Sequence, residues 1–423
     1  MDLANNFNSL PSTRCVSASD PSDSQRDILH PVSMAQVQWS DLPVEILLII
    51  FQNLKDPFDV YRCGLVCVSW KSVVTTILPP FLLLSNVGGF SDNMTSFHFE
   101  ASLNKQSCSL FNTQTNETHE IFLPEVEKCW FSGSSFGWLI TICLEPPHEV
   151  HLLNPLTRDR IQLPAARQLR LRSDLRVITS ASPLNPTCLV LAINHLKGAL
   201  AFCRPGDKSW TLFEDFCRRL DDVVHYKGEF YAVNSLGHLY HLHCNTPATQ
   251  KVLPLCPIEF LQDEPLHRNY LVELDGKLLL VVRYMHMPFS SYFTYEFEVY
   301  ELNRVEKVWI KVINIGNNAI LLGTGSSISL PVSYFRNFKV NCIYFIDDNI
   351  KDIYFRSLRV VRNTGSYNMA TGQIEYLYES SLIRSSPLNW FVPEVICRKK
   401  KGKMKSWPSM IWRSLLNRYT PKI

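Results

Sequence analysis

The sequence predicts a mainly β protein: an N-terminal three-helix module followed by a β-propeller, for which six blades are favoured and seven also fit. Three observations carry this reading. Apolar residues recur at helical spacing within residues 39–78. From about residue 81 the apolar period drops to two, in short β-branched and aromatic runs parted by Gly, Asn, Asp and Pro. A strand-turn-strand pattern then recurs six times, and such recurrence marks a fold whose units bury their faces only against neighbours.

Residues 1–38 are rich in Ser, Asp, Asn and Pro and have no apolar period, so they are expected to be a disordered arm that cannot offset its own ordering entropy. The pattern changes at Trp39-Ser40-Asp41-Leu42-Pro43, where capping residues and a first-turn proline open a helix. Leu42, Ile46, Leu47, Ile50, Phe51 and Leu54 follow at helical spacing, while Leu48 and Ile49 fill the opposite side. A helix apolar nearly all round must be covered on two faces. Its own module covers one face, and the other needs something else. Asp56-Pro57 starts a second helix through Phe58, Val60, Tyr61, Cys63, Leu65 and Val66. A third runs around Trp70, Val73, Val74 and Ile77 and is stopped by Pro79-Pro80. Three helices within residues 39–80 make a marginal domain, which should lean on a partner or on the rest of the chain.

The propeller is expected over residues 81–392. Two repeats align well: Ser109-Leu110-Phe111-Asn112-Thr113-Gln114-Thr115 up to Leu123-Pro124, and His151-Leu152-Leu153-Asn154-Pro155-Leu156-Thr157 up to Leu163-Pro164. Looser versions lie at residues 201–210, 238–252, 297–309 and 367–378. A Gly also precedes hydrophobic strands at Gly137, Gly198, Gly228 and Gly276, which suits a tight turn feeding an inner strand. Residues 393–423 are expected to be a basic tail: Arg398-Lys399-Lys400-Lys401-Gly402-Lys403-Met404-Lys405 is followed by Trp407, Ile411, Trp412, Leu415, Leu416 and Tyr419 at the spacing of a short amphipathic helix.

Composition excludes several classes of function. Of 423 residues, 46% are hydrophobic and 19% charged, ordinary values for a globular chain. Against 39 acidic residues stand 42 basic ones, and a net charge of +3 provides no field that favours nucleic acid. The longest apolar runs, residues 46–51 and 277–282, are far too short to span a bilayer. Without the features of a secretory signal, the expected location is cytosol or nucleus, where the 13 cysteines are thiols.

No catalytic constellation emerges. Gly133-Ser134-Ser135-Phe136-Gly137 matches G-x-S-x-G, but Trp138-Leu139-Ile140-Thr141-Ile142-Cys143 behind it reads as a strand, whereas a nucleophile elbow needs a helix there. His238, His241, His243 and Cys244 crowd one segment; on a strand His241 and His243 share a face that His238 and Cys244 do not. No Cys-x-x-Cys pair supplements them, so no metal site is expected. Cys63 and Cys67 read as small buried hydrophobes. Asp221-Asp222 and Asp347-Asp348 read as loop residues.

Residues 39–78 resemble the F-box. Leu42-Pro43-Val44-Glu45-Ile46-Leu47, then Phe51, Leu54, Asp56-Pro57, Arg62-Cys63, Val66-Cys67 and Trp70-Lys71, follow that family's pattern nearly throughout. Residues from about 100 to 392 resemble the plant F-box-associated domain of unknown function 295, a kelch-like propeller. This likeness rests on residues 133–139, 153–158, 201–210, 222–224, 228–233 and 341–345. The resemblance implies a non-catalytic, cofactor-free substrate receptor that docks on a Skp-type adaptor and through it on a cullin of a ubiquitin ligase, while the propeller captures a target protein. The adaptor-binding residues it implies are Leu42, Pro43, Ile46, Leu47, Ile50, Phe51, Val60, Val66 and Trp70. The alternative is a scaffold or regulator that uses the F-box without substrate turnover. Neither nucleic acid nor a membrane span belongs to either reading.

Overall fold

The structure, a computed structural model, describes residues 39–395 except 55, 85–105, 144, 167–174, 195–198, 214–219, 246–247, 253–265, 287–292, 334, 336, 347–362 and 377–386. The expected arm (1–38), the basic run with its following helix (398–419), Gly198 and Asp347-Asp348 lie outside the described residues.

A short 3-10 turn, Trp39–Asp41, comes first. Helix α1 (Val44–Gln52) follows Pro43, which takes the N-cap position one residue earlier than a first-turn proline would. Helix α2 (Pro57–Cys63) begins as its sequence dictates: the Asp56 carboxylate accepts from the Phe58 N–H at 2.8 Å, with Pro57 in the first turn. Helix α3 (Val68–Ile77) is capped by Cys67, whose sulfur accepts from the Trp70 N–H at 3.5 Å. Cys63 is the buried thiol expected, and burial pushes its pKa up to about 12; Cys67 is only half-buried and serves as a cap. Leu47 and Phe51 of α1 turn inward, and Phe51 meets Trp70 edge-on at 5.2 Å.

Beyond the helices the chain forms six sheets. The first holds β1 (Phe81–Leu84), β2 (Ser107–Asn112) and β3 (Glu117–Phe122). The second is β4 (Cys129–Ser135), β5 (Trp138–Cys143), β6 (Val150–Leu153) and β7 (Arg160–Leu163). The third is β8 (Leu175–Thr179), β9 (Val190–Asn194), β10 (Ala199–Cys203) and β11 (Thr211–Leu212). The fourth is β12 (Leu220–Tyr226), β13 (Glu229–Asn234), β14 (Leu239–His243) and β15 (Ala248–Val252). The fifth is β16 (Leu266–Leu274), β17 (Lys277–His286), β18 (Phe293–Asn303) and β19 (Val308–Val312). The sixth has five strands, β20 (Asn318–Leu322), β21 (Ile328–Pro331), β22 (Cys342–Phe345), β23 (Gly365–Asn368) and β24 (Gln373–Tyr376), with β20 and β22 parallel. Finally β25 (Pro387–Phe391) returns to the first sheet and pairs antiparallel with β1.

Six apolar clusters, one between each pair of neighbouring sheets, close these units into a six-bladed propeller. Alternation along each strand divides the side chains between two neighbours. Phe81 and Leu83 pack with Leu139 and Leu153 of the second blade, whereas Leu82 and Leu84 pack with Ala319 and Leu321 of the sixth. Trp138, Ile140 and Ile142 face Val177 and Val190 of the third blade, and Ile178 and Leu191 face Val223 and Phe230 of the fourth. Tyr226 and Val233 meet Leu271 and Leu280 of the fifth, whose Tyr270 and Val281 meet Ile320 and Phe345 of the sixth.

All six recurring sequence units are outer hairpins, β2–β3, β6–β7, β10–β11, β14–β15, β18–β19 and β23–β24. Four share one turn. Asn112, Asn154, Asn303 and Asn368 each accept with Oδ1 from backbone N–H groups two or three residues on. Four residues after each Asn comes a left-handed residue: Asn116, Arg158, Lys307 or Gly372. Asn154 is buried, and its Oδ1 accepts from Leu156 and Thr157 at 3.0 Å each. Asn154→Ala strands both donors and should lower stability by about 1–2 kcal/mol. Asn154→Asp, which keeps the acceptor, should lose less, as read from urea midpoints.

The glycine turns stand where tight turns are expected at three of the four positions. Phe136-Gly137, Lys227-Gly228 and Asp275-Gly276 are two-residue turns with positive φ at both positions. They join the first strand of a blade to its second, which has a partner strand on each side.

The inner strands also carry a polar belt around the ring axis, and it overturns the loop reading of Asp221-Asp222. Both residues lie in β12, where the ladder with β13 bulges between Leu220 and Asp222, and the Asp222 carboxylate is fully buried. It pairs with Arg176 of the third blade at 2.5 Å. It also accepts from Leu271 N–H of the fifth blade at 2.9 Å and from Ser327 Oγ beside the sixth at 3.0 Å. Arg176 donates to the Gly325 carbonyl, and Gly325 N–H donates to Asn389 Oδ1 of β25 at 3.1 Å. Asn389 Nδ2 donates to Ser134 Oγ of the second blade at 3.4 Å. The belt thereby touches every blade.

Candidate partner-binding site

The helical module is fastened to the ring. Phe58 of α2 stacks on Phe81 of β1 with centroids 6.1 Å apart and meets His119 edge-on at 5.3 Å. At the corner between α2 and α3, a Cβ on Gly64 would lie 2.7 Å from Val395 Cγ1 and 3.1 Å from Val74 Cβ, so any larger residue there must push back the segment that follows β25. The rest of the chain thus covers one side of the module, as the marginal size of three helices requires.

Among the described residues, part of the apolar surface of α1 is left exposed. Val44 is 50% exposed, Ile46 43% and Ile49 58%, and Val68 at the start of α3 is 79% exposed. Each is a β-branched hydrocarbon, and together they make an exposed apolar surface on the module. The nine residues implied for adaptor binding fall into three groups. Pro43 and Ile46 are exposed; Leu42, Ile50 and Val66 are half-buried; Leu47, Phe51, Val60 and Trp70 are buried. The last four form the module's own core and hold the surface from beneath.

Val44, Ile49 and Val68 were missed by that selection. The signal was present in α1 for Ile49, because once Leu47 and Phe51 are fixed as inward, a period of 3.6 turns Ile46 and Ile49 outward, whereas Val44 lies on the inward stripe and is exposed as the first residue of the helix. The sequence did not show which apolar stripe was the inner one.

The remaining motifs resolve into structural roles. Gly133-Ser134-Ser135-Phe136-Gly137 is the end of β4 and the turn into β5, with a strand on each side. Ser135 Oγ accepts from Thr179 Oγ1 at 2.9 Å, and Ser134 Oγ donates to the Trp390 carbonyl. His241 and His243 do share a face, with ring centroids 4.1 Å apart, and His241 stacks on Tyr231. His238 instead has its N–H bound to Asn234 Oδ1 at 2.8 Å. No helix among the described residues is long and apolar enough to cross a membrane.

Comparison with known proteins places the two parts. A family model described as the KIB1-4 beta-propeller matches residues 110–368, more than half of the chain. The chain belongs to the KIB1-4 beta-propeller family. An F-box-like model matches residues 39–78, the three helices that precede the KIB1-4 ring. Relatives of this KIB1-4 protein are F-box proteins of Arabidopsis thaliana. One putative F-box protein is 29% identical, covering 75% of this chain and 87% of its own. F-box protein SKIP23 is 24% identical over 80% of this chain and 91% of its own. F-box/kelch-repeat protein KIB1 is 23% identical over 85% of this chain and 90% of its own.

Proposed function

We propose that this protein is the substrate-recognition subunit of a Skp-cullin-F-box ubiquitin ligase. The uncovered apolar surface of α1, on an F-box-like module bolted to a propeller, carries the reading. A Skp-type adaptor covers Val44, Ile46 and Ile49, a cullin joins through the adaptor, and the ring holds a target protein. The chain itself supplies no chemistry, and its place of work is cytosol or nucleus. The ring is of the kelch-like kind of the domain of unknown function 295, a reading whose kelch part is supported by the relative named F-box/kelch-repeat protein KIB1.

Each apolar anchor of this size contributes about 1.5–3 kcal/mol when fully buried. Replacing two exposed anchors, Val44→Asp with Ile49→Asp, should weaken co-purification with a Skp-type adaptor roughly a hundredfold. The thermal midpoint should be unchanged, since both side chains are exposed. Failure of the natural protein to bind, or undiminished binding by the variant, overturns the assignment.

A further inference from the structure

The second blade carries a pair of thiols that the receptor function does not use. Cys129 opens β4 and Cys143 ends β5, and the two are direct partners in the ladder between those strands. Cys143 N–H is bound to the Glu149 carbonyl on the other side at 2.9 Å, so its pair with Cys129 is of the non-hydrogen-bonded kind. In such pairs the Cα atoms approach to about 4.5 Å, within the span a disulfide bridges. Here the two sulfurs are 2.8 Å apart. Cys129 is buried and Cys143 half-buried, so one sulfur is within reach of a small solute and the other stands behind it.

The surroundings favour a thiolate on the outer sulfur. His151 and Glu149 lie on the same face, their nitrogen and oxygen and the Cys143 sulfur all within 4.8 Å of one another. His151 is buried, and Arg160 Nη2 reaches its Nε2 at 2.7 Å. The hydrogen bond from Cys129, a second from His151, and the nearby Arg160 guanidinium outweigh burial and pull the Cys143 pKa down to about 5. The same sulfur contact and burial push that of Cys129 up. Nucleophile and resolving thiol are thereby distinguished.

We propose that Cys129 and Cys143 form an oxidation site at which a hydroperoxide converts a dithiol to a disulfide bridging β4 and β5. The Cys143 thiolate attacks one peroxide oxygen, the O–O bond breaks, and Cys143 becomes a sulfenic acid as hydroxide or alkoxide leaves. The Cys129 sulfur then attacks the Cys143 sulfur. The S–O bond breaks and the hydroxyl departs as water with the Cys129 proton. Two electrons pass from the two sulfurs to the peroxide, and an external thiol reverses the step by exchange.

The test uses the full-length reduced protein, treated with one equivalent of hydrogen peroxide, alkylated and mapped by mass spectrometry. A peptide pair linked through Cys129 and Cys143 is expected before oxidation of any other cysteine. In Cys129→Ser, dimedone should trap Cys143 as the sulfenic acid; in Cys143→Ser, Cys129 should stay reduced. Independently of any variant, alkylation of Cys143 in the natural protein should stay nearly constant from pH 8 down to pH 6, where an ordinary thiol slows about tenfold per pH unit. Prior oxidation of another cysteine overturns the proposal, as does an ordinary pH profile. So does one equivalent of tightly held zinc that shields both thiols until a chelator is added.

Discussion

Asp222→Ala should cost about 3–5 kcal/mol, the loss typical of leaving one member of a buried ion pair alone. The carboxylate has no solvent to replace it. Its removal leaves the Arg176 guanidinium buried with only the Gly325 carbonyl opposite, and it deprives Leu271 N–H and Ser327 Oγ of their acceptor. Because these groups belong to the third, fifth and sixth blades, the damage is not confined to one sheet. A urea titration should show a lower midpoint or, at the upper end of the range, no soluble ring. The double variant Arg176→Met with Asp222→Leu removes both charges and should recover much of the loss. A cost below about 1 kcal/mol for the single variant would show that the belt does not hold the ring.

Gly137→Ala should be the next most damaging change, at roughly 3 kcal/mol. Its φ of +73° costs an L-residue about 1–2 kcal/mol. The added Cβ would also lie 2.3 Å from the Glu394 backbone nitrogen, a neighbour that cannot rotate away, and forced overpacking adds about 1–3 kcal/mol. Gly228→Ala separates the two contributions. That residue occupies the same turn position in the fourth blade at φ +86° with nothing within 4 Å of a Cβ, so it should pay the backbone cost alone. Denaturant midpoints of the two variants should therefore differ by the cost of the Glu394 contact.

Local features of the fold were legible because local chemistry makes them. The Asp56-Pro57 helix start and the Asn turns at Asn112, Asn154 and Asn368 are each decided within four residues. Repetition then supplied the architecture, six hairpins for six blades. What was not legible depends on partners distant in sequence. Asp222 stands among residues that read as a turn, and only Arg176, Leu271 and Ser327 make it a buried strand residue. The parallel pairing of β20 with β22 and the return of β25 to β1 carry no periodic signature. At the candidate site, period alone placed an apolar surface on both faces of α1. Choosing the outward one required the packing of Leu47 and Phe51 against α3, which pattern does not encode.

The pairing of β25 with β1 also bears on how the chain is made. A ribosome releases Phe81 more than 300 residues before Phe391, its partner in that ladder. Throughout that interval β1 has an open edge on one side, and such an edge invites pairing with other chains until its own last strand arrives. Val395, four residues further on, is what fills the corner at Gly64. The helices that emerge first therefore gain their final contact last, and a nascent or prematurely ended chain displays the α1 surface without the seam that fixes it to the ring.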